Sequence, residues 1–188
     1  LLPADALRVP SVRGGLVVVG SHVPQTTAQL ERVHASCDAA RVEVSVPDVL
    51  DPRRRSAELA RAGAVMNAAL ASGRDAVVFT SREPVMGSDA TAGLEVGRSV
   101  SDALVAVVRQ LAVTPRFLVA KGGITSSDVA TRGLDVRRAV VLGQALPGVP
   151  VWRLGPETRF PGLAYVLFPG NVGSASALAD LVGRLRGA

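Results

Sequence analysis

The 188-residue sequence has few aromatic, thiol and imidazole side chains. Aromatic residues make up 3% of the chain, and there is one cysteine, Cys37, with two histidines, His22 and His34. A single cysteine excludes an internal disulfide and a metal site built on several thiolates. With so few rings, the core has to be built mainly from valine, leucine and alanine, and the apolar content of 48% is sufficient for one.

Lysine is also nearly absent, because Lys121 is the only one and every other basic side chain is arginine. Nucleic-acid binding uses clustered basic residues with aromatic rings between them. The arginines here are scattered, with one tight cluster at residues 53–55, which we interpret as a solvated helix start. We therefore expect no nucleic-acid partner. The formal charge of +5 suits an anionic small molecule instead.

The sequence lacks an apolar run near the ~20 residues that span a membrane, and it lacks the basic start of a signal peptide. We therefore expect a cytoplasmic protein without membrane contact. Residues 1–14 are weakly patterned and begin without Met, which predicts a linker from a missing N-terminal domain. Residues 15–188 are predicted to form a single domain.

Short apolar runs alternate with helical patterns along the chain. Strands are predicted at residues 16–19, 41–46, 76–79, 117–120, 139–142, 149–154 and 164–168. Helices are predicted from residue 25, over 56–70, from 101, from about 125, and over 174–185, with a glycine-containing stretch at 84–97. This alternation predicts a layered α/β fold with a mostly parallel sheet flanked by helices and an antiparallel edge.

Glycine and small hydroxyl residues follow three of the predicted strands, where open α/β sheets bind ligands. These loops begin at Gly20, Gly122 and Gly170. In the second, two glycines allow close backbone approach, and the helix that follows offers free N–H groups to a phosphate. We expect Thr125 or a neighbouring serine to cap that helix, with Asp128 completing a capping box.

Other motifs for nucleotide chemistry are absent. No G-x-G-x-x-G follows the first strand, and no G-x-x-x-x-G-K-[ST] loop occurs, so a standard dinucleotide enzyme and a P-loop ATPase are excluded. His22 has no partners at triad spacing. Lys121 either meets a phosphate or is solvated, and Arg82 either contacts an anion or pairs with Glu83. No carboxylate is placed as a catalytic base, so the catalytic residues stay unassigned.

Several ordered motifs resemble one family over residues 12 to 186. They are GLVVVGSHVPQTTAQL at 15–30, TSRE at 80–83, GGITS at 122–126, GQALPGVP at 143–150 and FPGNVG at 168–173. In order and spacing they resemble the C-terminal nucleotide-binding domain of the four-carbon acid sugar kinase family.

The resemblance implies ATP-dependent phosphorylation of the terminal hydroxyl of acids such as threonate, erythronate or 3-oxo-tetronate, with Mg²⁺ as the usual metal. It implies that a preceding domain binds the sugar acid and supplies the base, so this chain alone is expected to be inactive. Self-association into a homo-oligomer is left open. The positions that match ATP contacts are Ser21, Gly122, Gly123, Ile124, Thr125 and Gly170.

Two other interpretations remain open at this point. The chain could be a non-catalytic module that binds a nucleotide or regulates a partner, or an α/β enzyme acting on a phosphorylated small molecule. A sugar-acid domain encoded immediately upstream would favour the kinase over the module. A bound adenine nucleotide, as opposed to a sugar phosphate, would favour the kinase over the third class.

Overall fold

Seven strands form one mixed sheet in the computed structural model, which describes residues 1–82 and 90–187. Every predicted strand is present. The four-residue apolar run of β1 is buried along its whole length, as expected for a strand covered on both faces. The strands are β1 Leu16–Val19, β2 Ala39–Val44, β3 Asp75–Thr80, β4 Leu118–Lys121, β5 Ala139–Leu146, β6 Val149–Leu154 and β7 Ala164–Phe168.

Helices cover the sheet on both sides. None of those in the described ranges is long and apolar enough to cross a membrane. A 3₁₀ turn spans Ala4–Leu7, and a π-helical turn over Val129–Gly133 continues directly from α5. The helices are α1 Pro24–Ser36, α2 Val46–Leu50, α3 Arg55–Ala71, α4 Ala90–Arg109, α5 Gly123–Asp128 and α6 Ala177–Arg186.

The strand order β2-β3-β1-β4-β7-β6-β5 explains where a ligand can bind. The first five strands in this order run parallel, whereas β6 and β5 add an antiparallel edge, which confirms the predicted fold class. After β1 the chain continues to β2, which lies on one side of the β1–β4 pair. After β4 it continues to β5, which lies on the other side of that pair. Such a reversal opens a crevice at the carboxyl ends of the two adjacent strands, where α/β proteins bind ligands.

Apolar side chains fill the space on both faces of the sheet. Leu16 and Val18 of β1 pack in a core shared with α3 and α4, whereas Val17 and Val19 pack in a second core with α1 and α6. Successive residues of a strand point to opposite faces. One four-residue apolar run therefore contributes to both cores, and it holds the end of β1 in a fixed position.

The second strand ends earlier than predicted, and a short helix that the sequence analysis missed follows it. The prediction was 41–46, but β2 spans Ala39–Val44. Ser45 then caps α2 by accepting a hydrogen bond from the Asp48 N–H at 3.3 Å, and Pro47 lies in the first turn. Alternating polarity does not indicate where a strand ends, whereas serine and proline are helix-start residues.

The fourth helix begins at Ala90, well before the predicted start at Ser101. The glycine-containing stretch predicted at 84–97 lies partly outside the described residues, and from Ala90 onward it is helical. Gly93 and Gly97 have low helix propensity, which is why the sequence favoured a loop. Adding residues to an existing helix costs little once its packed turns have formed.

The first fourteen residues, predicted to be a linker, pack against the domain. Leu7 is fully buried at the end of the 3₁₀ turn. The Leu2 N–H donates to the Gln144 carbonyl at 2.8 Å, in a part of β5 that extends beyond the predicted end at residue 142. The Val9 N–H donates to the Arg116 carbonyl at 2.8 Å.

Candidate functional site

The three glycine loops predicted from the sequence meet at one edge of the sheet. They follow β1, β4 and β7, which are adjacent parallel strands, so their carboxyl ends lie side by side. The Gly20 N–H donates to the Lys121 carbonyl at 3.3 Å, and the Gly122 N–H donates to the Phe168 carbonyl at 2.8 Å. These bonds carry the strand pairing one residue beyond β1 and β4 and join the starts of the loops.

Ser21 lies between the other two loops. A Cβ atom placed on Gly122 would be 3.0 Å from the Ser21 Cβ, and one placed on Gly170 would be 3.1 Å from the Ser21 Oγ. A side chain at either glycine would make an unusually tight contact with this serine, which would have to shift. The absence of side chains at Gly122 and Gly170 therefore allows the three loops to approach each other closely.

Gly122 and Gly123 have different roles. Gly122 has φ +118°, a conformation that L-residues rarely adopt, so the turn itself requires glycine there. Gly123 is exposed, and a Cβ atom built on it would meet no heavy atom of the described residues within 4 Å. The fold therefore does not require glycine at 123, and a ligand approaching the crevice would gain from the open space.

The capping box predicted for α5 is wrong. The helix begins at Gly123, so Gly122 is the N-cap and no side chain caps the first turn. Thr125 is then the third residue of the helix and is buried, while the Ser126 hydroxyl donates to the Ala120 carbonyl at 2.8 Å. Asp128 accepts a hydrogen bond from the Ser101 hydroxyl of α4. The first N–H groups of α5 are thus left without a side-chain cap.

Ile124 differs from the other predicted site residues. Ser21, Gly122, Gly123, Thr125 and Gly170 come together around the crevice, whereas the Ile124 side chain is 76% exposed. It forms part of the wall of an adjoining cleft that has a volume of about 270 Å³. The opposite wall of this cleft belongs to α4, and the sequence analysis did not include any α4 residue in the site.

Lys121 is neither solvated nor free to reach a phosphate, contrary to both interpretations of the sequence. Its side chain is fully buried, and the Nζ atom donates to the carbonyls of Pro169 and Gly170 at 2.6 and 2.9 Å. The ammonium also lies 4.3 Å from the centre of the Phe168 ring. Burial lowers the pKa of Lys121 to about 8. This lysine therefore places a buried cation directly beneath the third loop.

The third loop turns its carbonyl oxygens toward the protein. The Gly170 carbonyl accepts one hydrogen bond from Lys121 and a second from the Thr26 hydroxyl at 3.1 Å. Gln29 donates to the carbonyls of Val172 and Ser174. The C=O and N–H groups of a trans peptide point in opposite directions. The N–H after Gly170 therefore points away from Lys121. The loop is longer than predicted, since α6 begins at Ala177 and not near residue 174.

Arg82 and His22 support the first loop from the side. Arg82 donates to the Ser21 carbonyl at 2.9 Å and to the Thr27 hydroxyl at 2.5 Å, which links this loop to α1. Glu83, its predicted alternative partner, lies outside the described residues. The His22 Nε2 is 3.0 Å from the Thr80 hydroxyl, and partial burial followed by the nearby Arg82 charge lowers the pKa of His22.

A family model described as a nucleotide-binding C-terminal domain matches residues 16–178. A 3-oxo-isoapionate kinase from Paraburkholderia graminis is 32% identical over 185 residues, which cover 91% of this chain and 39% of that kinase.

Two solved structures share the fold. A domain of unknown function from Bordetella bronchiseptica, crystallised with citrate as a domain-swapped dimer, has a TM-score of 0.73 and 21% identity over 93% of this chain and 41% of its own. A Haemophilus influenzae protein of the same domain-of-unknown-function family has a TM-score of 0.67 and 19% identity over 97% and 43%.

The chain thus spans about two fifths of the length of the relatives it matches. The family match covers most of the chain and includes all three glycine loops. It also agrees with the motifs that resemble the four-carbon acid sugar kinases. This chain therefore belongs to the nucleotide-binding C-terminal domain family of the four-carbon acid sugar kinases.

Proposed function

We propose that this chain binds ATP for a kinase that phosphorylates small sugar acids of the threonate, erythronate or 3-oxo-tetronate type. The observation that carries the proposal is the convergence of Ser21, Gly122, Gly123 and Gly170 at the crevice between β1 and β4. The similarity to a 3-oxo-isoapionate kinase supports the class of substrate. A preceding domain would bind the sugar acid and supply the catalytic base, and this domain is the partner we propose.

The groups around the crevice fit the phosphates of a nucleotide. Gly123 leaves space for close approach to the backbone, and the first turn of α5 has no side-chain cap. The buried Lys121 ammonium adds a positive charge beneath Gly170, in a position where water screens it poorly. Ser21 would contribute a hydroxyl between the two glycine loops.

These residues can position a phosphate chain, but they cannot activate a hydroxyl. Phosphoryl transfer depends mainly on positioning and on neutralising charge, and Mg²⁺ bridging the phosphates supplies part of that charge. Among residues 1–82 and 90–187, no group of three His, Cys, Asp or Glu side chains could hold a metal ion. Mg²⁺ in kinase sites is held largely by phosphates with one or two carboxylates, so we propose it only as a companion of the nucleotide.

The test measures nucleotide binding by two variants. One replaces a glycine of the second loop, and the other replaces a glycine of α6 outside the site. A ligand that binds the folded state raises its stability by mass action, so ATP with Mg²⁺ should raise the melting temperature of the chain. Gly123→Val should reduce ATP affinity about tenfold or more, because its side chain would occupy the approach to the backbone. The fold should survive, since the Gly123 Cβ has open space.

Gly183→Val is the matched control. Gly183 lies within α6, and a Cβ atom on it also meets no described heavy atom within 4 Å. This variant should bind ATP like the wild type. Equal ATP affinity in the Gly123→Val and Gly183→Val variants, with both folded, would contradict the phosphate role of the second loop. Acid-dependent release of ADP by the full-length protein would separate the kinase from a non-catalytic nucleotide-binding module.

A further inference from the structure

Lys121 is a fully buried cation that has no anionic partner among residues 1–82 and 90–187. Its ammonium contacts two backbone carbonyls of the third loop and the ring of Phe168, and all of these groups are neutral. Lysine is almost never fully buried without a partner, because moving a charge out of water is costly unless an opposite charge offsets it. Burial alone lowers its pKa, and no charged neighbour contributes.

The elements packed around Lys121 and the third loop contribute neutral side chains. They come from β1, β7, α1 and α6, and they are Val19, Phe168, Thr26, Gln29 and Ala177. The titratable side chains beside the first loop, Arg82 and His22, contact the Ser21 carbonyl and the Thr80 hydroxyl instead. The described part of the chain therefore supplies no counter-ion for the Lys121 ammonium.

The third loop offers a route from this ammonium to the crevice. Because Lys121 and Thr26 hold the Gly170 carbonyl on the inside, the Asn171 N–H points the other way. That N–H has no acceptor among the described residues. A Cβ atom on Gly170 would be 3.1 Å from the Ser21 Oγ, so this peptide lies beside the crevice. A phosphate that accepts from the Asn171 N–H would be separated from the ammonium by one peptide group.

We propose that Lys121 positions the third loop for the phosphate chain and that the bound phosphate is its counter-ion, so that nucleotide binding and protonation of Lys121 strengthen each other. The inference rests on the proposed function, because it needs a nucleotide phosphate beside Gly170. The charged ammonium polarises the peptide between Gly170 and Asn171, which makes its N–H a stronger donor. The charge also attracts the phosphate through protein that screens it poorly. Both effects weaken when the amine loses its proton.

This coupling makes ATP binding depend on pH. Burial lowers the pKa of Lys121 to about 8 in the free protein, and a nearby phosphate should raise it. Below about pH 8 the free protein already carries the proton, so affinity is highest there. Above that pH binding requires the uptake of a proton, and affinity falls. Coupling between sites is commonly fivefold or more, so ATP affinity should fall about fivefold between about pH 7 and about pH 9.5.

The first experiment measures ATP binding with Mg²⁺ by calorimetry at these two pH values, in the wild type, Lys121→Met and Arg153→Met. Lys121→Met should bind ATP about fivefold more weakly than the wild type at the lower pH. Its affinity should change little at the higher pH, because methionine cannot titrate. Phosphate groups lose their second proton near about pH 6, so the charge of ATP stays constant across the range.

Arg153→Met is the matched control, because it also removes one positive charge. Arg153 is exposed on β6 and pairs with Ala164, the first residue of β7, whereas the third loop follows the last residue of that strand. The charge it carries therefore lies at the opposite end of the sheet from the loops. This variant should keep both the ATP affinity and the pH dependence of the wild type.

A second measurement needs no variant. Lys121 is the only lysine of the 188-residue chain, so isotopically labelled lysine gives one set of lysine side-chain NMR signals. Their change with pH reports the pKa of Lys121 directly. Saturating ATP should raise this pKa, because binding and protonation are reciprocally linked.

Two results would overturn this role of Lys121. One is a pKa that saturating ATP leaves unchanged. The other is an ATP affinity that has the same pH dependence in the wild type and in Lys121→Met. Either result would leave ATP binding, and with it the proposed function, supported. Wild-type protein that binds no ATP at either pH would overturn the proposed function together with this inference.

Discussion

Lys121 gives the most direct test of how the third loop is built. It is fully buried, donates to the Pro169 and Gly170 carbonyls, and is the only lysine of the chain. We expect the stability of the wild type to rise with pH relative to Lys121→Met. Methionine keeps an unbranched side chain of similar length against Phe168 but cannot titrate.

The magnitude follows from the pKa of Lys121, which burial lowers from 10.5 to about 8. This difference corresponds to about 3 kcal/mol of free energy. Below about pH 8 the lysine is charged in both the folded and unfolded states, and its burial cost is fully present. As the pH rises toward 10.5, the folded protein loses the proton first, so the unfolded state binds more protons and stability rises. Between about pH 7 and about pH 9.5 the gain should be about 2 kcal/mol.

The assay is urea unfolding of both proteins across this pH range. Subtracting the free energy of unfolding of Lys121→Met from that of the wild type cancels the groups that the two proteins share. The difference should grow with pH in favour of the wild type, because the folded protein releases the Lys121 proton at a lower pH than the unfolded chain. The neutral amine can still donate to the two carbonyls. A difference that stays flat, or that falls as pH rises, would refute the buried position of this amine.

Two further outcomes follow from the same structure. The 188-residue chain alone should release no ADP in response to threonate, erythronate or 3-oxo-tetronate, since a general base must lie within about 3 Å of the hydroxyl; release at the rate of the full-length protein would contradict this. Asp75→Ala should lower the free energy of unfolding by about 3 kcal/mol, because the buried Asp75 carboxylate accepts from the Gly15 N–H at 2.7 Å and pairs with Arg116 and Arg186 at 3.0 Å. Asp38→Ala, which breaks an exposed pair, is the control and should cost under about 1 kcal/mol.

Local patterns in the sequence predicted the elements of the fold well. The apolar run at β1 and the repeated strand–helix pattern indicated an α/β sheet, because a strand buried on both faces consists of consecutive apolar residues. The glycines at 122 and 170 were recognised as ligand-loop residues for the same local reason. Boundaries were less accurate at α4 and α5, since glycine and serine favour loops or caps unless packing extends the helix over them.

The position of the candidate site could be determined only from the strand order. The sequence alone determined that three strands end in small, flexible residues, and it also identified the family to which those loops belong. Only the tertiary structure decided that β1, β4 and β7 are neighbours, which brings Ser21 into contact with both glycine loops. It also decided that Lys121 is buried and that α4 forms a wall of the cleft. These facts depend on contacts between residues far apart in the chain, and local composition does not encode which distant elements will pack together.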